Sequence, residues 1–400
     1  MEYTLDLFQT AAAAVVVLFT GITLKRRFKF LEEYCIPSPV VGGLIFSLVL
    51  GVLHFFGLEV IFDEDVEDLF MLAFFTSVGF QISLKLISGS LRILLTLLLA
   101  MTILTLLQNA LAVAGALVGE LDPLRSLSAG SITMMGGEGM ALVFGPILED
   151  LTVAHGLDLC LGAASLGLVL SVLLGGPLGR YLILKHHLSP ATGGLEEPGP
   201  QHTHPLGAQR GEQMNALYAR LARACYQLIV AMGLGVLLCK GIELSGVKIP
   251  HYIGAMLMAV ILRNLSEKSG RYHFEVNEMS FFGGFALSLF LAINFAEIPL
   301  WQVAGLDGGD LVLIAAQLVL ITIFCLLLFR LLGGDYDAAV ISSASCSVGI
   351  GATPSGISAI LVLAGRFGYS LKAYLLVPVV CTMLIDPLNS LIIAMVIKMF

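Results

Sequence analysis

Apolar runs of about 20 residues, the length that crosses a bilayer, recur from end to end of this chain. In two corresponding places they give way to a glycine-rich, small-polar segment. The first runs from Ala129 through Gly130, Ser131, Thr133, Gly136, Gly137 and Glu138 to Gly139. The second runs from Ser343 through Ser345, Cys346, Ser347, Gly349, Gly351 and Thr353 to Gly356. Neither is apolar enough to cross lipid as a regular helix. Irregular backbone survives at membrane depth only where protein or a water-filled cavity surrounds it. Broken helices lining a cavity are the expectation, and they point to a secondary transporter.

Composition agrees with a polytopic membrane protein, since 58% of residues are hydrophobic and only 12% are charged. The runs lie near 7–24, 37–57, 68–84, 91–118 and 159–184, then 214–239, 249–264, 279–296, 310–331 and 371–397. The expected fold is therefore an all-α polytopic membrane protein with ten transmembrane helices, five in each half. Each half carries a re-entrant hairpin, near 126–146 and near 338–364. This arrangement places all but Arg125, Lys240, Lys248 and Lys398 of the 21 Lys and Arg residues on one side. By the positive-inside rule that side is cytoplasmic, and both termini fall on the outer side. Lys25, Arg26, Arg27 and Lys29 follow the first apolar run rather than precede it, so that run reads as a retained helix and not a signal peptide. The seven cysteines lack metal-ligand spacing and read as small core residues.

Two domains follow, 1–185 and 213–400, joined by a cytoplasmic linker over 186–212 that is rich in His, Pro, Gly and Glu. His186, His187, His202 and His204 in that linker read as solvated side chains rather than a metal site. The halves resemble one another: Pro39 to Gly43 matches Pro250 to Gly254, and Asp122 precedes Gly136 as Asp335 precedes Gly349. Five crossings in the first half start the second from the opposite face. The repeats are then inverted, with hairpins entering from opposite sides, the geometry of alternating access.

Hairpin glycines bring backbone groups close to a ligand, and hydroxyls and freed carbonyls can hold a hard cation. The candidate substrate-binding residues are Ser131, Thr133, Gly136, Gly137, Glu138, Gly139, Ser345, Ser347, Gly349, Gly351 and Thr353. Asp386 and Asn389, three residues apart beside Pro387 in the last helix, are candidate sodium ligands together with Ser347 and Thr133. Gln108, Asn109, Thr76, Ser77 and Asn294 also interrupt apolar runs, and helix-to-helix hydrogen bonds account for them as well as substrate contact does.

Ile36 to Gly43, Met71 to Gly79, Gln108 to Ala110, Asp122 to Leu124 and Ala129 to Thr133, with Gly175 to Pro177, Asp335 to Val340, Gly349 to Pro354 and Val377 to Pro378, carry a resemblance over nearly the whole chain. Through them the chain resembles the bacterial glutamate:sodium symporter family. The resemblance implies sodium-coupled uptake of L-glutamate across the inner membrane, a homodimer, and an elevator-type movement of the hairpins. No enzymatic activity and no nucleic-acid partner is expected. One departure stands out: members of the family usually carry Gly-Gly-His-Gly where this chain has Gly136-Gly137-Glu138-Gly139. A negative charge there disfavours a dicarboxylate unless it is neutralised, and it leaves open another amino acid or carboxylate, or proton coupling. A sodium/proton antiporter remains an alternative. A channel would more often repeat one filter around a symmetry axis, and an intramembrane hydrolase would need a catalytic pair that the spans do not supply.

Overall fold

The computed structural model describes residues 2–83, 91–119, 122–151, 153–190, 207–243, 250–270 and 272–400. In chain order the helices are α1 (Leu7–Arg27), α2 (Lys29–Glu33), α3 (Ser38–Phe55), α4 (Glu64–Gln81), α5 (Leu91–Gly119), α6 (Pro123–Ser126), α7 (Gly137–Asp150) and α8 (Gly156–Lys185). Then come α9 (Gly207–Glu243), α10 (His251–Ser269), α11 (Val276–Ala296), α12 (Leu300–Val303), α13 (Gly308–Leu331), α14 (Tyr336–Gly351), α15 (Thr353–Phe367), α16 (Leu371–Pro378) and α17 (Asp386–Ile397). Two three-residue strands, β1 (Glu2–Thr4) and β2 (Glu59–Ile61), pair in parallel with Tyr3 opposite Val60, a small exception to the all-helical expectation.

Among the described residues, eight helices are long and apolar enough to cross a membrane. The expected spans near 68–84 and 249–264 are helices too, α4 and α10, of 18 and 19 residues. They fall short because their ends carry charge: Glu64, Asp65, Glu67 and Asp68 on α4, and Arg263, Glu267 and Lys268 on α10. Large apolar side chains such as Phe8, Phe55, Leu99, Leu117 and Val312 stand exposed on the long helices, as a lipid-facing surface requires. His202 and His204 of the expected linker, and Lys85, Lys248 and Arg271 of the charge reading, lie outside the described residues. Six of the seven cysteines are buried and Cys225 is half-buried; all are free thiols.

Glycine sets the closest helix crossings. Gly21 of α1 lies against the backbone of Ser38 and Gly42 on α3, leaving no room for a side chain on either partner. In the second half Gly235 of α9 lies against the backbone of Ala255 on α10, and Gly254 of α10 against Gly235 O and the Cys239 side chain. Gly42 and Gly254 fall in the two matched proline-glycine segments but not at matched positions: Gly254 aligns with Gly43, which packs against Phe295 of α11.

Each glycine-rich segment is a break between helices. Tyr336 Oη donates to Gly368 O at 2.5 Å, closing the base of a pair, α14 and α15, that turns at Ala352. At about 1.5 Å per residue the 16 residues of α14 span roughly 24 Å, short of a full hydrocarbon thickness. Gly356 packs onto Val348 and Ala344, so the two arms run antiparallel in contact. The first segment is less regular: α6 and a 3₁₀ turn (Leu127–Ala129) lead through turns to α7. The matched aspartates do the same work in both. Asp122 accepts from Leu124 N at 3.0 Å and Asp335 from Ala338 N at 2.7 Å, each capping the first helix of its segment.

Candidate functional site

The two breaks meet. Gly137, at φ +59°, faces Ala352, at φ +95°, and a Cβ placed on Gly137 would lie 2.8 Å from that of Ala352. Beside this contact opens a cavity of about 640 Å³. Its walls come from both breaks (Gly136, Glu138, Gly139; Gly351, Thr353), from the start of α4, the end of α11, Tyr252 of α10, and Thr382 with Asp386. Thr382 lies in a π-helical stretch, Val379–Ile385, between Pro378 and Pro387. Such widened turns interrupt the regular hydrogen-bond ladder, and Pro387 has no N–H to return to it.

Six carboxylates line the cavity: Glu64, Glu67, Asp68, Glu138, Glu297 and Asp386. Among the described residues of its wall there is no Lys, Arg or His. Glu67 and Glu297 come within hydrogen-bonding reach of each other, and Asn294 Nδ2 donates to Glu67 Oε1 at 3.2 Å. Three polar atoms of the wall are buried without a protein partner: Glu138 Oε1, Thr353 Oγ1 and Thr382 Oγ1. The two threonines are 4% and 1% exposed, so these are hydroxyls held away from bulk solvent at a cavity edge.

The structure divides the candidate residues into two groups. Gly136, Glu138, Gly139, Gly351, Thr353 and Asp386 line the cavity, and Gly137 forms the contact between the tips. The others, Ser345 apart, hold the breaks in place. Ser131 Oγ donates to Asn389 Oδ1 at 2.7 Å and accepts from Asn109 Nδ2 at 2.8 Å, while Asn389 Nδ2 donates back to Ser131 O at 3.1 Å. Asn389 is thus parted from Asp386: one anchors the first break, the other faces the cavity. Thr133 Oγ1 donates to Ser128 O at 2.6 Å, and Ser347 Oγ to Ser171 O of α8 at 3.1 Å. Gly349 O accepts from Gln108 Nε2 at 2.7 Å. Adjacent residues of α5, Gln108 and Asn109, therefore brace the second and the first break respectively. Ser345 Oγ is buried with no partner but lies off the cavity wall.

Thr382, Glu67 and Glu297 were not singled out from the sequence. Glu67 and Glu297 sit at the ends of apolar runs, where charges ordinarily mark the water boundary, and only their convergence gives them away. Thr382 carried no local signal beyond its place four residues before Asp386.

A second cavity, of about 510 Å³, follows along the groove between α11 and α15, lined by Leu287, Ser288, Leu291, Ser358 and Leu361, with Lys25, Glu32 and Arg366 at its rim. Arg125, at the start of the first break, donates to Asp307 at 2.6 Å and to Asp310 at 2.8 Å. The bond to Asp310 holds its guanidinium above the ordinary arginine pKa, so it stays charged.

Comparison with known proteins supplies a family. The model of the sodium/glutamate symporter family matches residues 3–369. The sodium/glutamate symporter of Escherichia coli (strain K12) is 32% identical over 394 residues, 98% of this chain and 97% of that protein. The protein of the same name from Haemophilus influenzae is 31% identical over 396 residues, 98% of this chain and 96% of its own. Among solved structures, the sodium proton antiporter from Methanocaldococcus jannaschii aligns over 98% of the chain at 15% identity and a TM-score of 0.44.

Proposed function

Because the chain belongs to the sodium/glutamate symporter family, we propose that it is a sodium-coupled symporter of a small amino-acid solute, with L-glutamate the solute to which family membership points. The observation that carries this reading is the meeting of two helix breaks at a cavity of about 640 Å³. Broken helices facing one another supply a ligand site without exposing unpaired backbone to lipid.

In this proposal the two halves are inverted five-helix repeats, α4 and α10 complete ten crossings, and 1–185 and 213–400 are the repeat domains. The breaks are re-entrant hairpins, and the protein resides in the bacterial inner membrane with both termini on the outer side. The charge distribution of the loops and the presence of a close glycine crossing in each half support that arrangement. Sodium enters as cargo, and the cavity offers it the Asp386 carboxylate with the Thr353 and Thr382 hydroxyls, the oxygen donors a hard cation prefers. Ser131, Thr133, Ser347 and Asn389 serve that site by positioning the hairpins.

Movement of an elevator type, in a homodimer, would carry the hairpins past α11, whose length joins the two cavities. The test is uptake into proteoliposomes under an inward sodium gradient, with amino acids and dicarboxylates as labelled solutes. Uptake that stops when the gradient is collapsed supports symport; flux that ignores it identifies a channel. Cysteines at Ser358 and Ser288, joined by a bifunctional reagent across the second cavity, should abolish uptake. Unimpaired transport in the fully crosslinked protein would rule the movement out.

A further inference from the structure

The charge of the tip cavity constrains what it carries. With sodium at Asp386, the carboxyl groups of Glu64, Glu67, Asp68, Glu138 and Glu297 remain on the same wall. A dicarboxylate would bring two more, with no Lys, Arg or His among the described wall residues to receive them. Glu67 and Glu297 are the sharpest feature. Two carboxylates within hydrogen-bonding reach either share a proton or hold a cation against them. Asn294 occupies one oxygen of Glu67 through its amide, leaving the other open as an acceptor. Independently of the carboxylates, Thr353 Oγ1, Thr382 Oγ1 and Glu138 Oε1 are buried at this wall with no partner in the protein. Buried polar atoms in native structures are paired, so these await a bound ligand or ordered water.

We propose that the solute held at the hairpin tips is an organic cation of amino-acid size, its ammonium or guanidinium group seated between Glu67 and Glu297, rather than a dicarboxylate. The inference rests on the symporter reading and changes only the solute. Glu138 belongs to the same pattern: its Oε1 is buried at the cavity wall with no protein partner, an acceptor for a positively charged ligand. The groups that face this seat are Glu64 and Asp68 on α4, Asn294 on α11, Tyr252 on α10 and Glu138 on the first hairpin. The second cavity differs in sign, with Lys25 and Arg366 against Glu32, so the acidic character is particular to the tip cavity.

The experiment uses the purified full chain in two formats. In detergent, the thermal midpoint is followed against lysine, arginine, ornithine, putrescine, glutamate and aspartate, each with sodium or with choline as the cation. In proteoliposomes, sodium-driven uptake of the same labelled solutes is measured. The expected result is stabilisation and uptake by one or more of the basic solutes, with no competition from glutamate or aspartate. Glu67→Gln and Glu297→Gln should each weaken that solute by about thirtyfold or more, the scale for removing one charge of a buried pair, while retaining the parental midpoint without solute. Glutamate uptake with the basic solutes inert would overturn the proposal and keep the symporter. A basic solute that stabilises but does not enter would retain the seat and overturn the transport reading. No response to any basic solute in either format overturns the proposal, as does full retention of basic-solute affinity in both glutamine variants.

Discussion

Replacing Gly137 by alanine tests whether the two helix breaks must touch. The substitution adds one methyl group in two unfavourable respects. At φ +59° an L-residue pays about 1 kcal/mol for the left-handed conformation. The new Cβ would lie 2.8 Å from the Ala352 Cβ, whereas carbons settle at about 3.5–4.0 Å, so the tips must part by roughly 1 Å. Overpacking of that kind costs a further 1–3 kcal/mol or so. The sum, about 2–4 kcal/mol, falls on the state in which the tips meet, and about 1.4 kcal/mol is tenfold in an equilibrium. Sodium-driven uptake should therefore fall at least tenfold, with a smaller drop in the thermal midpoint. The compensating change is Ala352→Gly. It removes the opposing methyl and relieves the φ +95° strain at that residue, leaving Gly351 O at 3.6 Å, an ordinary contact, as the nearest remaining neighbour. The double variant should recover most of the lost uptake. A Gly137→Ala protein that transports at the parental rate, or a double variant that shows no recovery, refutes the reasoning. Gly233→Ala, on α9 with open space around it, is the control and should change neither readout.

Arg125→Ala strands the Asp310 carboxylate, which is 1% exposed, and should cost about 3 kcal/mol in thermal unfolding; Asp310→Asn in the same chain should return part of it. The Asp307 half of that pair, 70% exposed, should contribute under about 1 kcal/mol when removed alone. Asn389→Ala removes the acceptor of the Ser131 hydroxyl and the donor to Ser131 O in a buried knot, so it should lower the thermal midpoint by an amount equivalent to about 1–3 kcal/mol while changing the sodium dependence of uptake less than Asp386→Asn does. Glu138→Gln keeps the shape of the tip but removes an ionisable group from the cavity wall, and the pH profile of uptake should change; the parental profile with normal affinity would remove Glu138 from the mechanism.

How far the sequence reaches can be judged from particular residues. Apolar run length is a local property, so the expected spans reappear as helices, and the two that fall outside the eight, α4 and α10, do so because of charges visible at their ends. Glycine and proline restrict backbone locally as well, which is why both breaks and the residues Gly137 and Gly351 at them were legible, while Asp122 and Asp335 stood out only as matched positions until the structure showed them as caps. The family was legible for a related reason: these backbone-determining residues keep their order along nearly the whole chain.

What a polar side chain does was decided elsewhere. Ser131, Thr133, Ser347 and Asn389 have the chemistry of ligands, but each is already bonded to protein, and that depends on neighbours up to 258 residues away. Thr353 and Thr382 have the same hydroxyl and no such neighbour, which leaves them facing the cavity. Glu67 and Glu297 each look like a boundary charge when read along the chain. Packing of α4 against α11 brings their carboxylates together, and the sign of the cavity is a sum over side chains that only the folded protein assembles. Sequence alone determined that this chain crosses a membrane with two broken helices; tertiary structure decided which of its oxygens remain available and what charge they present.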